Sequence, residues 1–514
     1  MKIIQSLLIC ILTTLSIQLN SQLPCGTVQN EAFFERLEKN RKVFENPSNQ
    51  KSMLRFVPVQ FHMVGNSQGI GAPDRLSVLQ ALCTLNERFE DTELRFYNAG
   101  MTIVNNSAIY NDTQDGVLGP SLGSNQLATN NMQNLRNPNA ANIWIVKYAG
   151  GGAGGYYTGN RDWVVINNNT LSNDGYTLEH EMGHFFSLPH THFGWEGNIG
   201  DGIDDNDGYL PSVHGDTVTI LQIGSSQSNL VDVELVDGSN CTTAGDRICD
   251  TPPDYGFGQS CSCCSMIYNV WDRNFDKIEP MIDNVMSYSN GCNPYRFSPM
   301  QSDAMVADYD SNDRAYLRFG TVSNYTPVTE APTILAPDFG LTENFNGVLF
   351  DWEDVENATE YVLEISGGPQ KLSYILNDSE FFVTELEANS QYIWTVNAYG
   401  VFGGGCQQGE TRILQTGAGI SAVNDISEVN HVNIYPNPVS KGMDINIALE
   451  ADKSFRANVH IYDITGRLVY SSNNQAIDNG TTKLTVPTYT LVSGLHILEI
   501  QSENGTITEK IIVE

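Results

Sequence analysis

The 514-residue chain carries 60 acidic residues against 27 basic ones, a net charge of −33. That balance argues against nucleic acid or an anionic membrane as partner and suits an exported protein that holds calcium. The length exceeds what one core fills and asks for about three domains.

Lys2 is followed by an apolar run over residues 3–19 and then by Asn20, Ser21 and Gln22, so residues 1–22 read as a secretory signal peptide. The run is too short and too poorly flanked for a stable membrane span, and no later stretch approaches one. Cys10 lies in the signal, which leaves nine cysteines in the mature chain, five of them between Cys241 and Cys264 with Cys292 close behind. In an oxidising compartment these form local disulfides whose pairing is not readable from spacing.

Residues 23–54 are polar and charged, with a helical pattern over 31–44, and read as a pro-segment. The odd cysteine count leaves one thiol over, and Cys25 is the candidate. A pro-segment thiolate can fill the open position of a zinc site and keep it silent during export. A bridge from Cys25 to Cys83 or Cys406 fits the same count.

From Arg55 the residues Val57, Val59, Phe61 and Met63 alternate as in a strand, and residues 74–89 repeat apolar positions at helical spacing. Strand signals return at 94–97, 143–148 and 163–166, and the glycines of 150–155 read as a loop. That loop and its neighbouring strand are expected to offer an edge that pairs with an extended peptide substrate.

His180 and His184 stand four apart, so a helix over 177–185 aims both imidazoles at one metal ion from one face. Glu181 lies beside that axis, where a carboxylate serves as general base on metal-bound water. His190, beyond Ser187 and Pro189, swings back as third ligand. Three ligands leave a fourth position open, and a water bound there on zinc has its pKa lowered to about 7. His192 is off this spacing and reads as a surface histidine.

Residues 194–254 are acidic and aperiodic. Asp201, Asp204, Asp205 and Asp207 miss the spacing of an EF-hand and read as a solvated loop. The run from Gly245 to Asp254 also sets hard oxygen donors between glycine and prolines, which suit calcium. Met286, in Asp-Asn-Val-Met-Ser-Tyr, can form a polarizable apolar floor under a three-histidine site, and Tyr288 can hydrogen-bond an oxyanion. A closing helix is expected over 297–319.

His180 to His190 followed by Met286 resembles the metzincin clan of zinc endopeptidases. Tyr288, the Asp-Thr-Pro-Pro run and the intervening cysteines resemble its pappalysin family, over residues 55–319. The resemblance implies zinc on His180, His184 and His190, Glu181 as base, Met286 in the Met-turn and Tyr288 near the oxyanion. It also implies structural calcium at Asp246, Asp250, Thr251 and Asp254. Ser187 departs from the family, which has glycine there because the chain must turn at positive φ for His190 to reach the metal.

After a linker over 321–330, residues 331–418 show short alternating strands, with Leu386 and Tyr392 placed as in a fibronectin type III sandwich, which they resemble. A spacer or a substrate-docking module is implied. Residues 419–514 read as a further β-sandwich. Through Tyr435-Pro436-Asn437-Pro438, Asp463-Ile464-Thr465-Gly466-Arg467 and the Ser493-Gly494 strand, they resemble the C-terminal sorting domain of type IX secretion.

The expected architecture is therefore an α/β metzincin-type zinc protease domain (55–320) followed by two all-β sandwich domains. Its implied partners are protein or peptide substrates and the type IX secretion machinery, and its implied location is the cell surface or the medium. The expected function is a secreted zinc-dependent endopeptidase. The alternative is a surface adhesin or binding protein that retains an inactive metzincin-like fold.

Overall fold

In a computed structural model the chain is multidomain and mostly β. The structure describes residues 25–29, 31–45, 53–111, 126–150, 153–171, 176–195, 217–221, 228–256, 270–289, 292, 294–320, 322–337, 342–343, 347–368, 371–404, 409–417, 426–464, 466–489, 491–502 and 505–514. The signal peptide and the Asp201–Asp207 cluster lie outside these residues.

The first unit is a five-stranded sheet with helices on both faces. Its strands are β1 (Arg55–Gly65), β2 (Leu94–Asn105), β3 (Ala141–Val146), β4 (Gly155–Thr158) and β5 (Trp163–Asn167), in the order β2-β1-β3-β5-β4. Only β4 runs antiparallel to its neighbour. A parallel sheet covered on both faces needs apolar residues on both sides of each strand, and β3 and β5 are buried at every position. Alternate residues of β3 serve different layers. Ile143 and Ile145 join the larger core with Val57, Val59, Phe61 and Met63, while Trp144 and Val146 join a second core.

The larger core is covered by α1 (Glu31–Phe44), α2 (Arg75–Arg88) and, further on, α5 (Thr177–Phe185) and α6 (Pro299–Asp310). The second core is covered by α3 (Ser107–Asn111) and α4 (Gln126–Leu135). Asp74 starts α2 by accepting from Ser77 N at 2.8 Å, an N-cap worth about 1 kcal/mol. The glycine run is not wholly loop: Gly155 already belongs to β4. The closing helix is shorter than its pattern, because Ser311 leaves the helical region and a 3-10 turn, Asn312–Arg318, follows. A small hairpin, β6 (Thr217–Leu221) with β7 (Ser228–Asp232), precedes the aperiodic loops.

The second unit is two sheets: β8 (Ile334–Ala336), β10 (Val348–Trp352) and β13 (Glu380–Val383) in one, and β9 (Thr342–Glu343), β11 (Glu360–Ser366), β12 (Leu372–Leu376), β14 (Gln391–Tyr399) and β15 (Arg412–Thr416) in the other. Phe350 of one sheet meets Trp394 of the other edge-to-face at 4.8 Å. Tyr392 is buried, and its hydroxyl accepts from Glu387 N at 2.7 Å beside buried Leu386. This unit is docked on the first: Asn98 N donates to Val401 O at 2.7 Å, and Asn86 Nδ2 donates to Phe402 O at 2.9 Å.

The third unit pairs β16 (Val429–Tyr435), β17 (Asp444–Ala451) and β20 (Gly480–Pro487) in one sheet, and β18 (Phe455–Asp463), β19 (Leu468–Ile477), β21 (Gly494–Ser502) and β22 (Gly505–Val513) in the other. Its core is built from alternate residues such as Ile445, Ile447 and Leu449 on β17 and Val459 and Ile461 on β18. Among the described residues no helix is long and apolar enough to cross a membrane.

Candidate metal centre

Helix α5 is buried along its whole length and aims His180 and His184 into the same space. It ends as a Schellman turn: Ser187 N donates to His184 O and Leu188 N to Gly183 O, with Ser187 at φ +70°. Serine thus takes the left-handed conformation that glycine favours, and its buried hydroxyl has no hydrogen-bond partner. The turn sends the chain through Pro189 and returns His190 to the pair, its ring 4.6 Å from that of His184 and 5.2 Å from that of His180.

The ring orientations follow from backbone acceptors. His180 Nδ1 is 2.7 Å from Val285 O and His184 Nδ1 is 2.7 Å from Leu188 O, so each Nδ1 carries its proton and each Nε2 is bare. His180 Nε2 is buried without a partner, and His184 Nε2 lies 3.0 Å from His190 Nε2. Burial first, then neighbouring imidazoles, hold His184 and His190 well below the usual histidine range, so the rings that converge are neutral, and the Gln29 amide at His190 Nδ1 leaves that ring's N–H on Nε2, toward His184. The ligand atoms of Cys25, His180, His184 and His190 all lie within 4.8 Å of one another, the only such group among the described residues. Three buried nitrogens and a buried sulfur, with His180 Nε2 left without a partner, fit zinc.

Cys25 is a free, buried thiol, while Cys83 is disulfide-bonded, so the alternative that joins Cys25 to Cys83 is not adopted. Glu181 is fully buried, and burial pushes its carboxyl up to about 7. Its Oε2 accepts from Thr27 Oγ1 at 2.7 Å. Gly26 N donates to Gly155 O at 2.9 Å, and Tyr157 N donates to Thr27 Oγ1 at 2.8 Å, so the N-terminal segment occupies the β4 edge. Gln29 meets His190 twice, at the backbone N (3.1 Å) and at ring Nδ1 (2.6 Å).

Met286 is buried directly under α5: a Cβ on Gly183 would stand 2.3 Å from its sulfur. Asn284 fixes this turn by accepting from Met286 N at 2.8 Å and donating to Gln301 Oε1 at 2.7 Å. The Tyr288 ring lies 4.8 Å from His190 and 5.8 Å from His180.

His192 is a correction. It is not a surface residue but is 1% exposed, stacked on His190 at 4.8 Å and 8°, because the turn through residues 191–195 folds back under Asp254 and Tyr288.

The expected calcium ligands divide. Asp250 Oδ1 accepts from Ser298 Oγ and Oδ2 from Met300 N, so it caps α6. Thr251 Oγ1 donates to both oxygens of Asp246, and Asp254 accepts from Thr191 Oγ1 and Gly256 N. The acid that the sequence reading missed is Glu234, 5% exposed, against which a Cβ on Gly245 would stand 2.1 Å away. Burial raises the carboxyls of both Glu234 and Asp246 far above the usual range, helped by Asp246 and Asp254 beside Glu234 and by Asp250 and Asp254 beside Asp246. Asp246, Asp250, Thr251 and Asp254 thus all hold hydrogen bonds inside this loop or to its neighbours. The Cys241–Cys249 disulfide staples this loop. Thr27 and Gln29 were also missed, and nothing in their local sequence marks them, since their contacts span 154 and 161 residues.

A family model described as a secretion system C-terminal sorting domain matches residues 433–514. Solved structures similar to parts of the chain include the chicken CNTN1 FN1-FN3 domains, at 10% identity and TM-score 0.18, covering 37% of this chain and 69% of that one. Another is FN3tt, at 16% identity and TM-score 0.14, covering 18% of this chain and 100% of that one. No curated protein matches the chain. The C-terminal unit is a type IX secretion sorting domain, so the protein is a client of that machinery, exported to the cell surface or the medium.

Proposed function

We propose that the chain is a secreted zinc-dependent endopeptidase, pappalysin-like within the metzincins, with its N-terminal segment still seated in the cleft. The observation that carries this reading is the convergence of ring nitrogens from His180, His184 and His190 beside the buried carboxyl group of Glu181. Zinc held there would supply a Lewis acid and an acidified water.

This chain's own residues do the rest. Gly155 O and Tyr157 N, now used by Gly26 and Thr27, are the backbone groups that would hold an extended substrate on the β4 edge. Glu181 takes a proton onto a carboxylate oxygen and delivers it to the leaving amine nitrogen, a task suited to a carboxyl raised to about 7. Tyr288 donates to the carbonyl oxygen as charge develops on it. Cys25 fills the fourth ligand position and keeps the site silent. The second unit is read as a fibronectin type III-like brace, on its strand order and the Tyr392 hydrogen bond. Calcium is assigned to Glu234 and Asp246, with Asp254 alongside.

Protein freed of residues 25–44 should cleave a denatured protein, and should lose that activity to a chelator and to Glu181→Ala. Folded, zinc-loaded protein without the segment that cleaves nothing would end this reading. The adhesin alternative draws on Ser187 and on the two β modules; Ser187 at φ +70°, with His190 in the cluster, supports the endopeptidase reading over it.

A further inference from the structure

Two separate stretches of the N-terminal segment touch the first unit. Cys25 to Gln29 cross the cleft through Gly155, Tyr157, Glu181 and His190. Gly26 is packed so closely that a Cβ there would stand 3.3 Å from the Cβ atoms of Ala153 and Tyr156. Helix α1 then leaves the cleft and places Phe34, Leu37 and Phe44, each at most 2% exposed, in the same core that supports α5. Phe34 packs 4.5 Å from Phe193, and the Arg247 guanidinium stands 4.2 Å over its ring. Arg41 donates to Arg247 O at 3.1 Å, and Arg36 donates to the Tyr157 hydroxyl at 3.0 Å.

We propose that the groove receiving residues 25–44 is a peptide-binding surface that holds this segment independently of the metal, so that cutting the chain between Glu45 and Met53 leaves the segment docked and the cleft closed. What the segment blocks rests on the endopeptidase reading; the docking does not. Of the segment's residues only Cys25 would give an atom to the metal, since Gln29 touches His190 at Nδ1 and at the backbone rather than at the converging nitrogen. Thr27 covers the general base, Gln29 holds His190 by ring and backbone, and α1 contributes three core side chains whose burial survives scission. Scission removes the tether and its effective concentration, not the complementary surface. Activation therefore takes a second event, the destruction or displacement of the severed segment.

The full-length chain, with the recognition sequence of a specific protease inserted between Glu45 and Met53, would be folded, cut and passed through a sizing column with zinc and with chelator. The fragment is expected to co-elute in both, and still to do so in Cys25→Ser. Thr27→Val should weaken its retention about tenfold, the scale of one hydrogen bond to a charged group. Phe34→Ala should release it; should that variant misfold, Thr27→Val carries the same test. A fragment that separates on cutting alone, on chelation, or in Cys25→Ser would overturn the proposal, because the thiol–metal bond would then be the hold. A fragment that stays docked, with no hydrolysis once it is stripped away, upholds the docking and sinks the endopeptidase reading instead.

Discussion

Ser187 combines two unfavourable features at one position: a left-handed backbone at φ +70° and a buried hydroxyl without a partner. The conformation costs an L-residue about 1–2 kcal/mol, and the orphaned hydroxyl adds about 1 kcal/mol. Glycine relieves both and gives back about 0.5–1 kcal/mol in unfolded-chain entropy. Ser187→Gly is therefore expected to raise stability by about 1–2.5 kcal/mol, read from the denaturant midpoint, while Ser187→Ala recovers only the hydroxyl's share of about 1 kcal/mol. His62 is a different case. It is stacked on Trp144 at 3.8 Å, and burial lowers its pKa to about 4. Between pH 6.5 and 4 the unfolded chain binds the proton that the folded chain refuses, so stability falls as pH falls through that window, by about 3 kcal/mol from this group. His62→Phe keeps the stack and should remove that share of the acid loss; an unchanged pH slope in thermal melts would refute it. At this scale the sequence marked residues whose chemistry depends on short spacing, His180, Glu181, His184 and His190. It did not mark Thr27, Gln29 or Glu234, whose roles arise only when distant segments meet.

At the scale of elements, helix α6 and the acidic loop meet through a helix cap. Ser298 and Gln301 form a capping box with Pro299 in the first turn, and Asp250 adds its two oxygens to Ser298 Oγ and Met300 N. Asp250→Ala should cost about 1–2 kcal/mol with or without calcium, since a cap and a dipole contact are lost. Glu234→Gln or Asp246→Asn should instead abolish the stabilisation that calcium confers and raise stability in chelator, where two buried acids repel. Melts of the three variants in calcium and in chelator separate the two roles; calcium stabilisation lost in Asp250→Ala alone would reverse the assignment. A strand with strict alternation, such as β1, was legible because Val57, Val59, Phe61 and Met63 all face one core. The short strands β4, β8, β9 and β12 were not, since two to five residues carry too little pattern and Gly155 hides in a glycine run.

At the scale of the molecule, three units were expected in a row, with the middle one a spacer by default. The middle unit is instead fastened to the first. Phe402, 3% exposed, packs against Phe56 at 5.6 Å, Tyr97 at 5.9 Å and Tyr325 at 5.0 Å. Arg75 pairs with Glu360, and Leu76 and Leu79 of α2 share a buried cluster with Val362 and Tyr399. The close approach also needs Gly403, at φ +80°, where a Cβ would stand 3.2 Å from Cys83 N. Surface alternation along a strand shows which face is buried but not whether sheet or neighbouring unit buries it, so this docking was not readable beforehand. An interface with a buried aromatic at its centre couples the stabilities of the two sides, whereas a tethered spacer melts alone. In scanning calorimetry the first and middle units should therefore unfold in one transition. Phe402→Ala, which removes about 3–5 kcal/mol of packing while leaving the Asn86 hydrogen bond to its backbone, should split that transition in two. The sorting domain's own transition should not move, because its core is a separate cluster. Separate transitions already present in the unaltered protein would mean that the middle unit is a spacer after all.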